Sequence, residues 1–477
     1  MKNQLAKNLW AFAALIIPLT SVINQTAADD TLGPKLTHIV EDAERASGFK
    51  PSELSLTVGS LWNLNGDQLM SPASLSKLIT AAAALHDLHP DFTFQTLLAS
   101  SAPVRSGALQ GPLYLVGGGD PAFTSESLWV LVNEFRRTGI HVVDGDVVVD
   151  DSRFDDVRFT ETRKSKRVDR AYDAPIGAMS FNWNSVNIYV RPGKSGQACE
   201  VVLDPEAASR IMKIHNRTRT GGLANSIEVH RESDGALALS GSLPVGHKEV
   251  TVFKNITEPD LWSGENLVSF LKDRGIRVSG RVRRGIAPAD ASVLALYKSK
   301  PLAQIIADMA KYSNNFVAEM LIKNLAAEKG EKPATMITGI EQAKAYLRSL
   351  SPDFSTAQFV NGSGFTDDNR FSSRQLVSLL AAAQADFTMA PEYLAALPIA
   401  GRDGTLKKRM KKSPAEGEVR AKTGMLDDTI GLAGFAHRPG ADAPIPFAFI
   451  YNSSSNGSGK EEQARSFFDR LAAALAE

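Results

Sequence analysis

The chain opens on an apolar run, LWAFAALIIPLTSVI, led by Lys2 and Lys7 and followed by the small residues of NQTAADD. At about 15 residues it falls short of the roughly 20 that span a bilayer. Residues 1–28 therefore read as an export signal cleaved after about Ala28. Further on, SELSLTVGSLWNLNGDQLMSPAS reads as two strands about the turn pair Asn65-Gly66, delivering the chain to SKLITAAAAL, an alanine-rich helix. From residue 99 to about 292 the pattern becomes short β-type runs between Gly, Pro and Asp breakers. Among them are GPLYLVGGGDP, GDVVVDD, NSVNIYVRP and GALALSG, with one helical stretch, DLWSGENLVSFLKDRGI. From Pro301 the apolar spacing is helical again through PLAQIIADMAKYSNNFVAEMLIKNLAAEKG, TGIEQAKAYLRSL and SSRQLVSLLAAAQAD. Three strands in an antiparallel meander follow, EVRAKTGML, TIGLAGFAHR and IPFAFIYNS, and an amphipathic helix closes the chain. No internal repeat and no low-complexity linker is visible.

A length of 477 residues exceeds one ordinary core, so two or three domains are expected. Lys+Arg and Asp+Glu balance at 53 each, which gives no basic surplus for nucleic acid. The single cysteine, Cys199, allows no intrachain disulfide and no lipid at a mature N-terminus, and is expected to be a buried, inert thiol. At most a peripheral membrane association fits. Nothing in the sequence fixes an oligomeric state.

The stretch MSPASLSKLIT places Ser74 and Lys77 three residues apart at a helix mouth, on one face. Ser74 or Ser76 as a helix N-cap is the plain alternative. S-x-x-K by itself is weak, since it also occurs at Ser47–Lys50 and Ser269–Lys272, and S-x-N recurs at Ser180, Ser185, Ser313 and Ser454. K-T-G occurs once, Lys422-Thr423-Gly424, on an expected strand. Only one set satisfies order and placement together: Ser74/Lys77 opening a helix, Ser313/Asn315 in a helical region, and Lys422/Thr423/Gly424 on a late strand.

Each member answers a chemical need. A serine hydroxyl needs a neighbouring base, and a lysine serves only with a lowered pKa, here expected chiefly from the charge of Lys422 together with partial burial. Ser313 would relay a proton to the leaving amine, and the Asn315 amide would hold a substrate peptide group. Lys422 and Thr423 on a strand edge suit an anionic end group. The backbone N–H groups of Ser74 and Met425 would receive the oxyanion, with Gly424 as the bare residue beside the substrate. This chemistry asks for no metal and no cofactor.

With PASLSK, SNN and KTG stand GGGDPAFT, APIGAMSFNWNSV, NGSGFTDDNR, GRDGTLKKR and LAGF in order. Together these segments resemble the penicillin-binding D-alanyl-D-alanine carboxypeptidase/endopeptidase family, the low-molecular-mass class C penicillin-binding proteins. The resemblance implies a multidomain α+β fold, with a β-lactamase/transpeptidase-like domain of antiparallel sheet and helices and two inserted β-rich domains. The expected extents are 29–98 and 293–477 for the catalytic domain, 99–160 and 250–292 for the first insertion, and 161–249 for the second. It also implies cleavage of peptidoglycan stem peptides and cross-links through an acyl-enzyme on Ser74, inhibition by β-lactam antibiotics, and a place in the periplasm or cell envelope. Two positions depart from the family pattern: Asn361 stands where Asp usually precedes Gly-Ser-Gly, and Met425 where Ser or Thr commonly follows K-T-G.

Rival chemistries lack their marks. No G-x-S-x-G, H-E-x-x-H or E-x-x-L-N string occurs, which disfavours a Ser-His-Asp hydrolase, a zinc peptidase and a β-lactamase that deacylates through a glutamate-held water. The pair His86/His89 has i,i+3 spacing but reads as a solvated helix end. A catalytically silent envelope-binding scaffold with the same fold is the remaining alternative, and the intact nucleophile and two amines argue against it.

Overall fold

The computed structural model describes residues 26–163, 167–454 and 459–477, so most of the export segment lies outside the described residues. No helix among the described residues is long and apolar enough to cross a membrane. The fold is a multidomain assembly of helices and sheets. Its central sheet draws on both ends of the chain, in the antiparallel order Trp62–Leu64, Leu54–Val58, Ile445–Asn452, Thr429–Ala436, Val419–Leu426. The strand period of two sorts its side chains: Leu54, Leu56, Leu432, Phe447 and Phe449 face the terminal helices Thr26–Ser47 and Glu461–Leu475. Ala433, Phe435, Ala448 and Ile450 face the helical layer on the other side. Thr429–Ala436 is buried at every position, as a strand covered on both faces must be. Each fully buried Phe or Leu contributes about 1.5–3 kcal/mol.

Ser76–Leu88 is the inner helix of that layer. Its alanines 81–84 are buried all round, because small side chains let Leu302–Tyr312, Asn315–Glu328 and Met336–Leu350 close in on it. The hairpin before it differs from expectation. Leu54–Val58 and Trp62–Leu64 turn at Gly59, Ser60 and Leu61, not at Asn65-Gly66, with the Leu61 N–H donating to Val58 O at 2.9 Å. Asn65 instead uses its side-chain amide to tie down the Pro51 and Leu54 carbonyls at 2.7 and 3.2 Å. A polar turn former that can reach nearby carbonyls serves as well to brace a loop as to reverse a strand.

Between the two halves of the central module lies a five-stranded mixed sheet. In it the chain leaves and returns side by side, Gln95–Ser100 pairing antiparallel with Ser292–Lys298. Its helices are Pro259–Asp273 and Ser125–Arg136. The second was not expected, although Leu128, Leu131, Val132 and Phe135 recur at helical spacing and are buried. Smaller sheets follow, including the antiparallel set Glu200–Asp204, Ser185–Arg191, Val250–Asn255. Cys199 is buried there beside the Thr220 hydroxyl.

Candidate active site

Ser74 sits in a single 3-10 turn, Ala73–Leu75, that leads into the helix Ser76–Leu88. That helix takes Leu75 as its N-cap with no side-chain cap, so neither serine serves as the cap. The turn is fixed from several sides. The Ser76 hydroxyl donates to Ala73 O at 2.9 Å, and Asn369 Nδ2 donates to Ser76 Oγ at 2.8 Å. Among the described residues the Ser74 N–H has no acceptor.

Lys77 is buried in the first helical turn. Its ammonium nitrogen donates to Ser74 Oγ at 3.0 Å, Asn315 Oδ1 at 2.7 Å and Ser363 O at 2.6 Å. Burial pushes its pKa well down, the charge of Lys422 adds to that, and Glu319 opposes it. The expected order is thus reversed: desolvation leads and Lys422 comes second, because the amine is wholly enclosed.

Ser313 ends the helix Leu302–Tyr312 in the left-handed region, φ 55°, and Asn314 caps the next helix by accepting from the Val317 N–H at 3.2 Å. This abrupt joint between two helices costs Ser313 about 1–2 kcal/mol of backbone strain. It presents the Ser313 hydroxyl to Lys422 Nζ at 2.8 Å. Lys422 is also buried, donates to Thr423 O at 2.7 Å, and is lowered by burial to about 7. Thr423 Oγ1 donates to Thr405 Oγ1 at 2.9 Å. Val419–Leu426 is the edge of the central sheet, with Lys422 opposite Ala433 and Met425 opposite Ile430. Met425 is exposed, its sulfur against Arg465.

The structure therefore brings Ser74, Lys77 and Asn315 into one hydrogen-bonded group, and Lys422 and Ser313 into another whose charge reaches Lys77. Gly424 is placed differently from expectation. A Cβ there would lie 2.8 Å from Pro72 O and 3.2 Å from Leu75 Cγ, so its bareness admits the turn that carries Ser74. Asn315 spends its amide within the protein, its Nδ2 donating to Tyr172 O at 3.0 Å. His86 pairs with Asp87 at 2.9 Å at the opposite end of the Ser76–Leu88 helix from Lys77.

Three contributors were not singled out in the sequence. The Ser363 carbonyl orients Lys77; Tyr172, from the 3-10 turn Ala171–Asp173, overhangs with its ring against Phe365. Glu319 lies on the Asn315 helix, one turn on, and accepts from Asn361 Nδ2 and Ser363 Oγ, each at 2.7 Å. The signal for Glu319 was its i+4 spacing from Asn315 within the apolar run FVAEMLI. The departure at Asn361 gains a reason: an amide can donate to Glu319, where a second carboxylate would repel it.

The sequence profile of the D-Ala-D-Ala carboxypeptidase 3 (S13) family matches residues 41–475. A D-alanyl-D-alanine carboxypeptidase of Actinomadura sp. (strain R39) is 33% identical over 97% of this chain and 89% of its own length. The crystal structure of penicillin binding protein 4 (dacB) from Haemophilus influenzae superposes with TM-score 0.77 at 24% identity, covering 91% of this chain and 99% of its own. A predatory peptidoglycan endopeptidase of Bdellovibrio bacteriovorus shares the fold at TM-score 0.50 and 17% identity, over 88% of this chain and 91% of its own.

Proposed function

Since the chain belongs to the D-Ala-D-Ala carboxypeptidase 3 (S13) family, we propose that it is a serine-type D-alanyl-D-alanine carboxypeptidase and DD-endopeptidase with Ser74 as nucleophile. The observation that carries this reading is the enclosed Lys77 amine 3.0 Å from the Ser74 hydroxyl. With a lowered pKa, Lys77 takes the Ser74 proton as Oγ attacks the carbonyl of the penultimate D-alanine. The Ser74 and Met425 N–H groups receive the oxyanion. Ser313, beside Lys422, passes a proton to the departing amine, so that free D-alanine leaves and an ester remains on Ser74. Water then splits the ester and restores the hydroxyl.

Lys422 and Thr423 hold the substrate carboxylate. That group is found on a terminal D-alanine and equally on the D-centre of a cross-linking diaminopimelate, so one site serves both cleavages. Asn315 aligns the acyl side once substrate competes for its amide. A β-lactam acylates Ser74 in the same way and leaves slowly. The enzyme is exported by residues 1–28 to the periplasm or cell envelope, and its segments 99–160 with 250–292 and 161–249 form the two insertions.

The test is labelling with a fluorescent penicillin. Wild type should take one label, located by mass spectrometry on Ser74, and Ser74→Ala should take none while melting as before. An adduct on any other residue would sink the assignment. Complete absence of labelling and of peptide hydrolysis would favour the silent scaffold.

A further inference from the structure

Among the described residues Glu319 is the carboxylate whose charge acts on Lys77, and its surroundings are specific. Its Oε1 accepts from Ser363 Oγ and Asn361 Nδ2, each at 2.7 Å, while the Ser363 carbonyl accepts from Lys77 Nζ at 2.6 Å. One residue, Ser363, thus touches the carboxylate with its hydroxyl and the amine with its backbone. Asn361 locks the same loop, its Oδ1 accepting from the N–H groups of Ser363 and Gly364 at 3.0 and 2.8 Å. Glu319 is half-buried and faces a cavity of about 20 Å³, room for about one water.

We propose that Glu319 is a positioning residue for the acylation step: through Ser363 and Asn361 it fixes the carbonyl that aims Lys77 at Ser74, and its charge governs when Lys77 gives up its proton. The inference rests on the role of Lys77 given under Proposed function. A carboxylate and an amine joined through Ser363 in so enclosed a place do not gain and lose their charges independently. Burial raises the pKa of Glu319 and lowers that of Lys77, each opposed by the other's charge. The remaining charged groups around Glu319 are few. Lys422 acts on Lys77 from the edge strand; Asp173 on the turn Ala171–Asp173 disfavours ionisation of Glu319. Arg158 borders the same cavity but is paired with Asp151, and Lys323, one turn along the helix, is paired with Asp155.

Substituting Glu319→Gln keeps an oxygen for Ser363 and Asn361 to bond while removing the charge. Second-order acylation by a fluorescent penicillin, followed from about pH 5 to about pH 9, separates the two roles. In Glu319→Gln the acid limb should move down by about half a unit or more, equivalent to about threefold faster acylation on that limb relative to the plateau. The alkaline limb should stay.

The double variant Glu319→Gln with Asn361→Asp exchanges donor and acceptor across the pair and restores one negative charge, so its acid limb should return to the wild-type position. If Glu319→Gln fails to fold, the double variant alone carries the test. An acid limb unmoved in Glu319→Gln, a profile merely scaled by one factor at every pH, or a double variant that does not return would each overturn the inference. A wild type that takes no label on Ser74 would instead overturn the role of Lys77 itself, before any variant is compared.

Discussion

Lys422 Nζ lies 2.8 Å from Ser313 Oγ, so the cation of the edge strand is bonded to the hydroxyl at the joint of two helices. It is one of two amines sharing an enclosed site, and both are pushed below the ordinary lysine range. The proposed mechanism requires Lys77 neutral and Lys422 charged for acylation. Lys77, lowered by burial and again by the charge of Lys422, is expected to lose its proton at lower pH than Lys422, which burial alone brings to about 7.

A bell-shaped profile of kcat/KM follows for a D-Ala-D-Ala peptide, with its alkaline limb near the free-enzyme value of about 7 for Lys422. A bound carboxylate favours the charged amine, so the alkaline limb of kcat should lie at higher pH than that of kcat/KM. Lys77→Arg keeps a charge and loses the base. It should slow acylation by about 10²–10⁴-fold, and a wild-type rate would show that lysine is not the base.

The substrate carboxylate gives a second expectation. Charge-assisted hydrogen bonds from Lys422 and Thr423 should contribute about 1.5–3 kcal/mol, roughly ten- to a hundredfold in rate. Amidating that carboxylate should cut hydrolysis by this factor in wild type and change little in Lys422→Ala, where the loss is already built in. Equal rates for acid and amide in wild type would remove both residues from recognition.

Gly364 tests the loop that carries Ser363. Its φ is +70°, and a Cβ would fall 1.9 Å from the carbonyl oxygen of Ala73, in the turn that holds Ser74. Gly364→Ala should cost about 1–2 kcal/mol for the left-handed backbone and about 1–3 kcal/mol for the forced displacement. A lowered melting temperature together with slowed penicillin labelling is the expected pair of readings. Unchanged labelling would mean that the turn tolerates the shift.

Asp120, in the segment GGGDP, concerns stability alone. It is buried, its Oδ1 accepts from the Ala122 N–H at 2.8 Å, Oδ2 has no partner among the described residues, and burial raises its pKa to about 7. The folded state therefore holds a proton that the unfolded chain releases near 3.8. Stability from this group is full below that value and declines as pH rises toward about 7. Asp120→Asn should flatten that decline, read as a melting temperature that changes less between about pH 5 and about pH 8 than in wild type. An equal slope in both proteins would show that Asp120 is ionised throughout.

Ser74 and Lys77 were legible in the sequence because their meeting is local: three residues at a helix mouth fix their proximity whatever the rest of the chain does. The same holds for K-T-G on a strand and for the helices flanking Ser313, where apolar period and flanking breakers speak directly. The turn at Gly59–Leu61 was misplaced because Asn65 has the chemistry of a turn former and uses it to brace a loop. The helix Ser125–Arg136 was missed among β-type neighbours. What only the tertiary structure decided is the electrostatic state of the site. Lys77 owes its low pKa first to burial, and no pattern along the chain records how much water is excluded. The contacts of Glu319 with Asn361 and Ser363 join residues more than 40 positions apart. Side-chain spacing constrains neighbours within a turn or a strand, whereas desolvation and charge coupling depend on which distant segments close over the same few atoms.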